Sequence, residues 1–337
     1  MKKIFIEISR NCDKDCYYCY NSKKGKKDIV PETHRILDSI KNISKNEKEI
    51  NLTFSGGEPT NKISEIIDIL LKLKEDGFRV TPALITNTES LNQEFYKFAI
   101  TFKPFIVLSY NKKTTTLLRK LNSILPSNHL FVRFTITPKN VKSIYKDINS
   151  IISENYYIGI SPAYGIEWNN SSLLELKNLY SRLIKMKGME LIYDFEKILH
   201  IGINKDKICK SLKEPNAIDI NGKIYPCHRA IYFPQMDILK GRFDSNCIKC
   251  KAKRFCIPCV FKDIPGDGCK IRVAISNAYE ILLNRRSEMK KKVKILYKGK
   301  RFEVPEAVLK RYSVQKKKNP NRKNNRNFYE LGESDCY

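Results

Sequence analysis

The sequence predicts an α/β protein with a partial (β/α)6 barrel in its larger N-terminal part and a small cysteine-rich C-terminal part. Between residues 1 and 195, a short run of β-branched and aromatic residues is followed six times by an amphipathic stretch. This alternation is typical of a parallel sheet covered by helices. An eight-unit barrel needs a longer chain than this region offers, so we expect six units.

Six segments are predicted to be strands because they are rich in β-branched and aromatic residues. They are 3–9, 50–55, 80–86, 105–110, 130–137 and 157–163. Each is followed by apolar residues at helical spacing. The first helix carries Ile36, Leu37, Ile40 and Ile43, and the others run through 63–71, 91–100, 115–124, 141–154 and 172–187. Pro31 is expected in the first turn of the first helix, where a missing amide proton costs nothing.

Beyond residue 200 this regular pattern fades, and seven of the 11 cysteines lie between 209 and 269. Such a segment is typically held together by bound ligands rather than by a large core. Within it, the dipeptide Asn221-Gly222 predicts a tight hairpin. A helix at 276–292 and a hairpin turning at Lys298-Gly299 are predicted to follow.

Three domains are predicted. They are a barrel at 1–195, an auxiliary domain at 200–285 and a basic, partly disordered tail at 286–337.

The chain is strongly basic, with 63 Lys and Arg against 36 Asp and Glu and a formal net charge of +27. About half of the excess lies between Arg285 and Asn327, where 17 basic residues stand against three acids. Such a tail attracts phosphates, nucleic acid or acidic proteins. A solvated, lysine-rich surface explains the charge equally well.

The sequence predicts a cytoplasmic protein with no membrane segment. No apolar run approaches the roughly 20 residues of a membrane helix, and Glu7, Ser9 and Arg10 interrupt the N-terminal segment too early for a signal peptide. In a reducing compartment, disulfides are disfavoured and metal or cluster ligation is favoured. The cysteines are therefore candidate ligands.

Cys12, Cys16 and Cys19 follow the first predicted strand with the spacing C-x3-C-x2-C. Three thiolates on one short loop can hold three corners of a [4Fe–4S] cube and leave the fourth iron open to a small molecule. The alternative is a zinc knuckle that lacks its fourth ligand, and the next histidine, His34, lies on a predicted helix.

This part of the chain resembles the radical S-adenosylmethionine (radical SAM) superfamily. The cysteine spacing matches, Tyr18 stands before the third cysteine, and the second strand ends in Gly56-Gly57-Glu58-Pro59, which looks like the family's SAM contact. Further SAM contacts implied by the resemblance are Ser109, Arg133, Thr135 and Asn140. Tyr110 and Asn111 stand where many family members have an acidic residue. The resemblance also implies a SAM-binding [4Fe–4S] cluster, a reductant such as flavodoxin or ferredoxin, and a 5′-deoxyadenosyl radical that takes hydrogen from the substrate.

The cysteines beyond residue 200 resemble the SPASM extension of radical SAM enzymes, which implies two auxiliary [4Fe–4S] clusters. One would be held by Cys247, Cys250, Cys256 and Cys269, and the other by Cys209, Cys227 and Cys259. The fourth corner of the second would be open, or filled by Asp206, His200 or the substrate. Only two residues separate the third and fourth cysteines of the central run, where the family usually has three. Structural zinc is the alternative for CIKC and CIPC, and Cys336 is expected to have no role.

The resemblance implies an enzyme that modifies a peptide or protein. Such an enzyme would be a sulfatase maturase or would mature ribosomal peptides, and its auxiliary clusters would act as electron acceptors. Two alternatives are a radical SAM enzyme acting on RNA or a nucleotide-linked precursor, and a metal-bearing binding module without activity. No spacing argument identifies a general acid or base, although Asp219, Asp237 and Glu167 are candidates.

Overall fold

The computed structural model describes residues 1–19, 21, 29–45, 47–87, 91–195, 215–232, 268–289, 292–297 and 300–305. Six strand–helix units lead the fold, as predicted. Their strands are β1 (Lys2–Ser9), β2 (Glu49–Gly56), β3 (Arg79–Thr86), β4 (Phe105–Ser109), β5 (Leu130–Ile136) and β6 (Tyr157–Pro162). Their helices are α1 (Thr33–Ser44), α2 (Ile63–Glu75), α3 (Gln93–Phe102), α4 (Thr114–Asn122), α5 (Ile144–Ser153) and α6 (Asn170–Leu183).

The first six strands form one parallel sheet, and a short hairpin extends it. The hairpin strands are β7 (Ala217–Ile218) and β8 (Ile224–Tyr225), and the order across the sheet is β6-β5-β4-β3-β2-β1-β7-β8. β7 pairs in parallel with β1, and β8 pairs antiparallel with β7. The described part of the chain continues with α7 (His228–Tyr232), α8 (Gly268–Met289) and an antiparallel hairpin of β9 (Lys292–Tyr297) and β10 (Lys300–Pro305).

Side-chain alternation gives the sheet two different faces. Ile4, Ile6 and Ile8 of β1 belong to the large buried cluster that includes the apolar sides of the helices. Successive strand residues point to opposite faces, so Phe5 and Glu7 lie on the other face. Phe5 there packs against a separate small cluster of residues from β7 and α7.

The sheet is curved, as a partial barrel requires. The ring of His228 lies against Phe5 of β1, with centroids 4.9 Å apart and planes tilted by 38°. The charge of Arg133 on β5 contributes to lowering the pKa of His228. In a flat sheet, β1 and β5 would be four strand spacings or roughly 19 Å apart. An effect of Arg133 on an imidazole beside β1 agrees with a curved sheet.

Many element boundaries differ from the prediction by a few residues, and the differences at two helix starts have a clear physical cause. Pro31 lies before α1 rather than in its first turn, since Glu32 is the N-cap residue and the helix begins at Thr33. α8 begins at Gly268, eight residues earlier than the predicted 276, because Ile271 and Ile275 extend its buried face into the core shared with the barrel. Both predicted hairpins are present.

Candidate active site

The three N-terminal cysteines lie on the loop that follows β1, at the carboxyl edge of the sheet. Cys12, Cys16 and Cys19 are all half-buried, and the Cys19 amide donates to the Cys16 carbonyl at 2.9 Å, which closes a turn between them. Parallel α/β folds bind their ligands outside the carboxyl ends of the strands. The loop is therefore where this fold class places its chemistry.

The two glycines that end β2 let this strand pack against the start of the cysteine loop. Gly56 has a φ of +135°, and a Cβ atom there would lie 2.1 Å from the Ser9 carbonyl oxygen. A Cβ atom on Gly57 would lie 2.1 Å from the Asn11 carbonyl oxygen. The amides of Gly57 and Glu58 donate to those same two oxygens, both at 2.7 Å. The glycines predicted to approach SAM thus also allow two strand ends to meet.

The Glu58 carboxylate is buried and joins the ends of β2 and β3. Its Oε1 accepts hydrogen bonds from the Thr60 amide (3.1 Å) and from the hydroxyls of Thr60 and Thr86 (both 2.7 Å). Its Oε2 accepts from the Asn87 amide at 2.7 Å. Burial raises the pKa of Glu58, and these hydrogen bonds oppose that rise. Glu58 therefore fixes the turn that continues into Pro59, and its contact with SAM stays a prediction.

Asn87, directly after β3, belongs to this site although the sequence pattern did not single it out. Its Nδ2 lies 3.4 Å from the Cys12 sulfur. Its carbonyl accepts from Nδ2 of Asn111 at 3.0 Å and from Nζ of Lys14 at 3.4 Å. The sequence does contain a signal for Asn87, since it is a polar residue immediately after a predicted strand. The carboxyl ends of parallel strands share one edge of a sheet, so such a residue is expected near the cysteine loop.

Tyr18 links the cysteine loop to β5. Its hydroxyl is hydrogen-bonded to the Cys16 thiol and to Thr135, and burial, followed by the negative charge of Cys16, raises its pKa well above the ordinary value. Two of the predicted SAM-site residues, Tyr18 and Thr135, thus meet beside a predicted ligand. The neighbouring Tyr17 is half-exposed, and Nζ of Lys139 lies 4.5 Å from its ring centroid.

The remaining predicted SAM contacts lie on β4 and β5. Ser109, the last residue of β4, pairs with Arg133 of β5, and both side chains are half-buried. Asn140 shapes the turn after β5, since its Oδ1 accepts from the Thr137 amide at 2.7 Å and its Nδ2 donates to the Thr135 carbonyl at 3.0 Å. The sheet therefore brings the predicted residues of β2, β4 and β5 to the edge that carries the cysteine loop.

Asp219 organises the β7–β8 hairpin. Its Oδ1 accepts from the amides of Asn221 (3.0 Å) and Lys223 (2.9 Å), and its Oδ2 accepts from the Tyr225 hydroxyl at 3.1 Å. Gly222 has a φ of +80°, which the turn requires. Both carboxylate oxygens have protein partners, so the geometry explains Asp219 as a turn residue and gives no reason to assign it acid–base chemistry.

A buried ion-pair network connects this hairpin to the cysteine loop. Arg10, two residues before Cys12, donates to Glu7 Oε2 from Nη2 at 3.1 Å and from Nε at 3.3 Å. The same Nη2 lies 3.8 Å from Asp219 Oδ2. The side chains of Glu7, Asp219 and Arg10 are 0%, 5% and 15% exposed.

The hairpin leads directly to Cys227, which is buried. The next residue, His228, is also buried, and its pKa falls to about 3 because of burial, followed by the charges of Arg229 and Arg133. A neutral imidazole therefore lies against β1, beside a predicted auxiliary-cluster ligand.

Most of the predicted auxiliary ligands lie outside the described residues. These are Cys209, Cys247, Cys250, Cys256 and Cys259, together with His200 and Asp206. Cys269 lies in α8, the helix that begins at Gly268.

Hydrogen-bond donors lie beside two thiols of the cysteine loop. In the part of the chain that the structure describes, no three His, Cys, Asp or Glu side chains converge on a common metal position. A cube does not need such convergence, because each thiolate binds a different iron. Asn87 beside Cys12 and Tyr18 beside Cys16 supply the hydrogen bonds that charged sulfur ligands need.

Comparison with known proteins agrees with this geometry. Residues 6–148, from β1 into α5, match the family described as the Radical SAM superfamily. Over these residues the chain is similar to radical SAM proteins. Members of this superfamily are enzymes that use SAM and a [4Fe–4S] cluster.

The curated relatives are distant. Two proteins of Methanocaldococcus jannaschii are 28% identical over 99 residues and 32% identical over 72 residues, which cover 28% and 20% of this chain. These matches span only about a quarter of each relative, 26% and 24%. The radical SAM cyclopropyl synthase TigE of Paramaledivibacter caminithermalis is 21% identical over 311 residues, covering 77% of this chain and 66% of TigE.

Solved structures share the fold over most of the chain. The enzyme anSMEcpe, solved with AdoMet and a Cp18Cys peptide, has a TM-score of 0.63 at 14% identity and covers 86% of this chain and 99% of its own. Streptococcus suis SuiB bound to S-adenosylmethionine has a TM-score of 0.50 at 14% identity, covering 76% of this chain and 72% of SuiB. At such identities the likeness concerns the fold.

Among the described residues, no helix combines the length and apolar character that crossing a membrane requires.

Proposed function

We propose that this chain is a radical SAM enzyme that modifies a peptide or protein, with auxiliary iron–sulfur clusters in its cysteine-rich segment. The observation that carries the proposal is that two 2.7 Å backbone hydrogen bonds hold the Gly56-Gly57-Glu58-Pro59 turn against the end of β1 and the start of the cysteine loop. The anSMEcpe enzyme, which shares the fold, binds AdoMet together with a peptide, and TigE is named a radical SAM cyclopropyl synthase. The bound peptide supports the substrate class.

Each residue of the site has a part in this proposal. Cys12, Cys16 and Cys19 would hold a [4Fe–4S] cluster with one open iron for SAM. When bound, the cluster and SAM supply the 5′-deoxyadenosyl radical that removes hydrogen from the substrate. The turn that Glu58 holds would present backbone carbonyls to the SAM ammonium, since the amides of Gly57 and Glu58 already donate to β1 and the loop.

The concave face of the sheet would receive the substrate. Ser109, Arg133 and Thr135 lie on β4 and β5, the strands whose ends approach the loop, and would complete the SAM site. Cys227 would bind an auxiliary cluster that accepts the substrate electron. The hairpin that leads to Cys227 pairs with β1, so Cys227 lies close to the barrel.

Anaerobic reconstitution tests the proposal. About 12 iron atoms per chain are expected for three [4Fe–4S] clusters, and about four for the SAM cluster alone. Dithionite and SAM should then give 5′-deoxyadenosine in the wild type and in the control variant Cys336→Ala, but not in Cys16→Ala. Peptides encoded next to the gene are the first substrates to assay by mass spectrometry. Bound zinc together with an absence of SAM cleavage would contradict the proposal that the chain is an enzyme. RNA binding that weakens steeply with salt would favour the alternative in which the substrate is RNA.

A further inference from the structure

The side-chain amide of Asn87 points at a sulfur atom of the cysteine loop. Nδ2 lies 3.4 Å from the Cys12 Sγ. Cys12 is the first of the three thiols, and Asn87 is 75 residues away in sequence. The contact is therefore made by the fold, which brings the end of β3 next to the loop after β1.

Three hydrogen bonds hold the backbone of Asn87, and they fix the position from which its side chain extends. Its amide donates to Glu58 Oε2 at 2.7 Å, and its carbonyl accepts from Asn111 Nδ2 at 3.0 Å and from Lys14 Nζ at 3.4 Å. These partners come from the end of β2, the end of β4 and the loop itself. Such support is what a residue that must hold one position near a cofactor needs.

Charge also determines which end of the amide faces the sulfur. A ligating cysteine is a thiolate, which accepts hydrogen bonds, so the –NH₂ group is the end that can approach it favourably. The carbonyl end would place a second acceptor against the negative sulfur. Asn87 is therefore a hydrogen-bond donor to the Cys12 ligand.

We propose that Asn87 makes the cluster held by Cys12 easier to reduce, by donating a hydrogen bond to the Cys12 thiolate. Hydrogen bonds to the sulfur ligands are one of the factors that set iron–sulfur potentials. The added electron makes the sulfur ligands more negative, so a donor stabilises the reduced state more than the oxidised one. The inference rests on the proposed function, in which Cys12 binds the SAM cluster.

The test is a redox titration monitored by electron paramagnetic resonance on the reconstituted full-length chain. Asn87→Leu keeps the side-chain volume and removes the donor, and Asn87→Ser is too short to reach the sulfur. Asn87→Asp replaces the donor with a negative charge. Asn92→Asp is the matched control, because it adds the same charge at the N-cap of α3, where Asn92 Oδ1 accepts from the Phe95 amide.

The signal to follow is the one that SAM perturbs, since it belongs to the cluster with the open iron. At a fixed solution potential, Asn87→Leu should lower the ratio of reduced to oxidised cluster by about tenfold, which corresponds to about 59 mV for one electron. Asn87→Ser should lower it similarly, Asn87→Asp further, and Asn92→Asp by less than about twofold.

Two failures can be told apart. A wild-type chain that binds no SAM-sensitive cluster would contradict the proposed function and the inference together. A chain that binds the cluster, with the Leu and Ser variants reduced as readily as the wild type at equal iron and sulfide content, would overturn the inference alone. If neither variant retains iron, Asn87 is needed for assembly rather than for tuning, and the inference is wrong.

Discussion

Arg10 Nη2 and Asp219 Oδ2 lie 3.8 Å apart, and they connect two parts of the chain that each carry a predicted cluster ligand. Arg10 is two residues from Cys12 at the end of β1. Asp219 shapes the hairpin that leads to Cys227. The pair therefore connects the cysteine loop to the β7–β8 hairpin, and Glu7 of β1 also pairs with Arg10.

Removing Asp219 should destabilise the protein. Asp219→Ala leaves the Arg10 guanidinium with one carboxylate and also removes the acceptor of three hairpin donors. Because Glu7 still pairs with Arg10, the cost comes mainly from the hairpin donors that lose a charged acceptor, and a hydrogen bond to a charged group is worth about 1.5–3 kcal/mol. The control is Glu154→Ala, which removes an exposed pair with Arg119 and should cost less than about 1 kcal/mol. Urea unfolding of both variants measures the difference, and equal costs would refute the structural role of the network.

Gly56→Ala should be far more harmful than Gly77→Ala. Both glycines have positive φ, +135° and +77°, but a Cβ atom on Gly77 has no heavy atom within 4 Å, whereas on Gly56 it meets the Ser9 carbonyl at 2.1 Å. A left-handed conformation alone costs an alanine about 1–2 kcal/mol. Gly56→Ala must also separate the end of β2 from the end of β1, so its cost in urea unfolding should exceed that range.

Reconstituted iron gives a second measurement of the same effect. Gly56→Ala should lose iron from the cysteine loop, since the hydrogen bonds of Gly57 and Glu58 hold that loop. Gly77→Ala should bind as much iron as the wild type. Full iron binding by Gly56→Ala would show that the loop does not depend on this contact.

The sequence was sufficient to predict the six strand–helix units and both hairpins, because their signals are local. Apolar periodicity determines which helix side is buried, and the Asn-Gly turn determines its hairpin. The start of α8 was missed because its first two turns include Gly268, Cys269 and Lys270, which do not show a helical apolar pattern. Their place in the helix follows from packing of Ile271 and Ile275 against the barrel core.

The site was predictable in part. The spacing of its cysteines and the glycine turn can be recognised in the sequence. Asn87 and Arg10 belong to no such pattern, since their partners are distant in sequence. Asn87 contacts Cys12 only once β1 and β3 are placed on either side of β2. Arg10 contacts Asp219 only after the hairpin pairs with β1. Such contacts depend on the order of strands in the sheet, which no local pattern reports.

The buried His228 should make stability depend on pH in mildly acidic solution. Its folded pKa of about 3 is below the ordinary value of 6.5, so the unfolded chain binds more protons between those values. Stability from this residue is therefore present above about pH 6.5 and is lost as the pH falls. At about 1.4 kcal/mol per pH unit, lowering the pH from 7 to 5 should cost about 2 kcal/mol.

His228→Gln should remove this dependence, whereas His34→Gln, a change at a histidine on α1 that is not buried, should retain it. Urea unfolding at about pH 7, 6 and 5 gives the three curves. If the wild type and His228→Gln lose stability in parallel, His228 is not buried as a neutral group in solution.

Cys16→Ser and Cys227→Ser should remove different clusters. Cys16 lies on the loop after β1 with its thiol beside Tyr18, and Cys227 follows the hairpin on the other side of the Arg10–Asp219 contact. From about 12 iron atoms, each variant should lose about four. Cys16→Ser should also lose 5′-deoxyadenosine formation, while Cys227→Ser should keep SAM cleavage and lose turnover of the peptide. If Cys227→Ser abolished SAM cleavage as well, the hairpin would be needed to assemble the first site, and the network around Arg10 would be the physical link between the two.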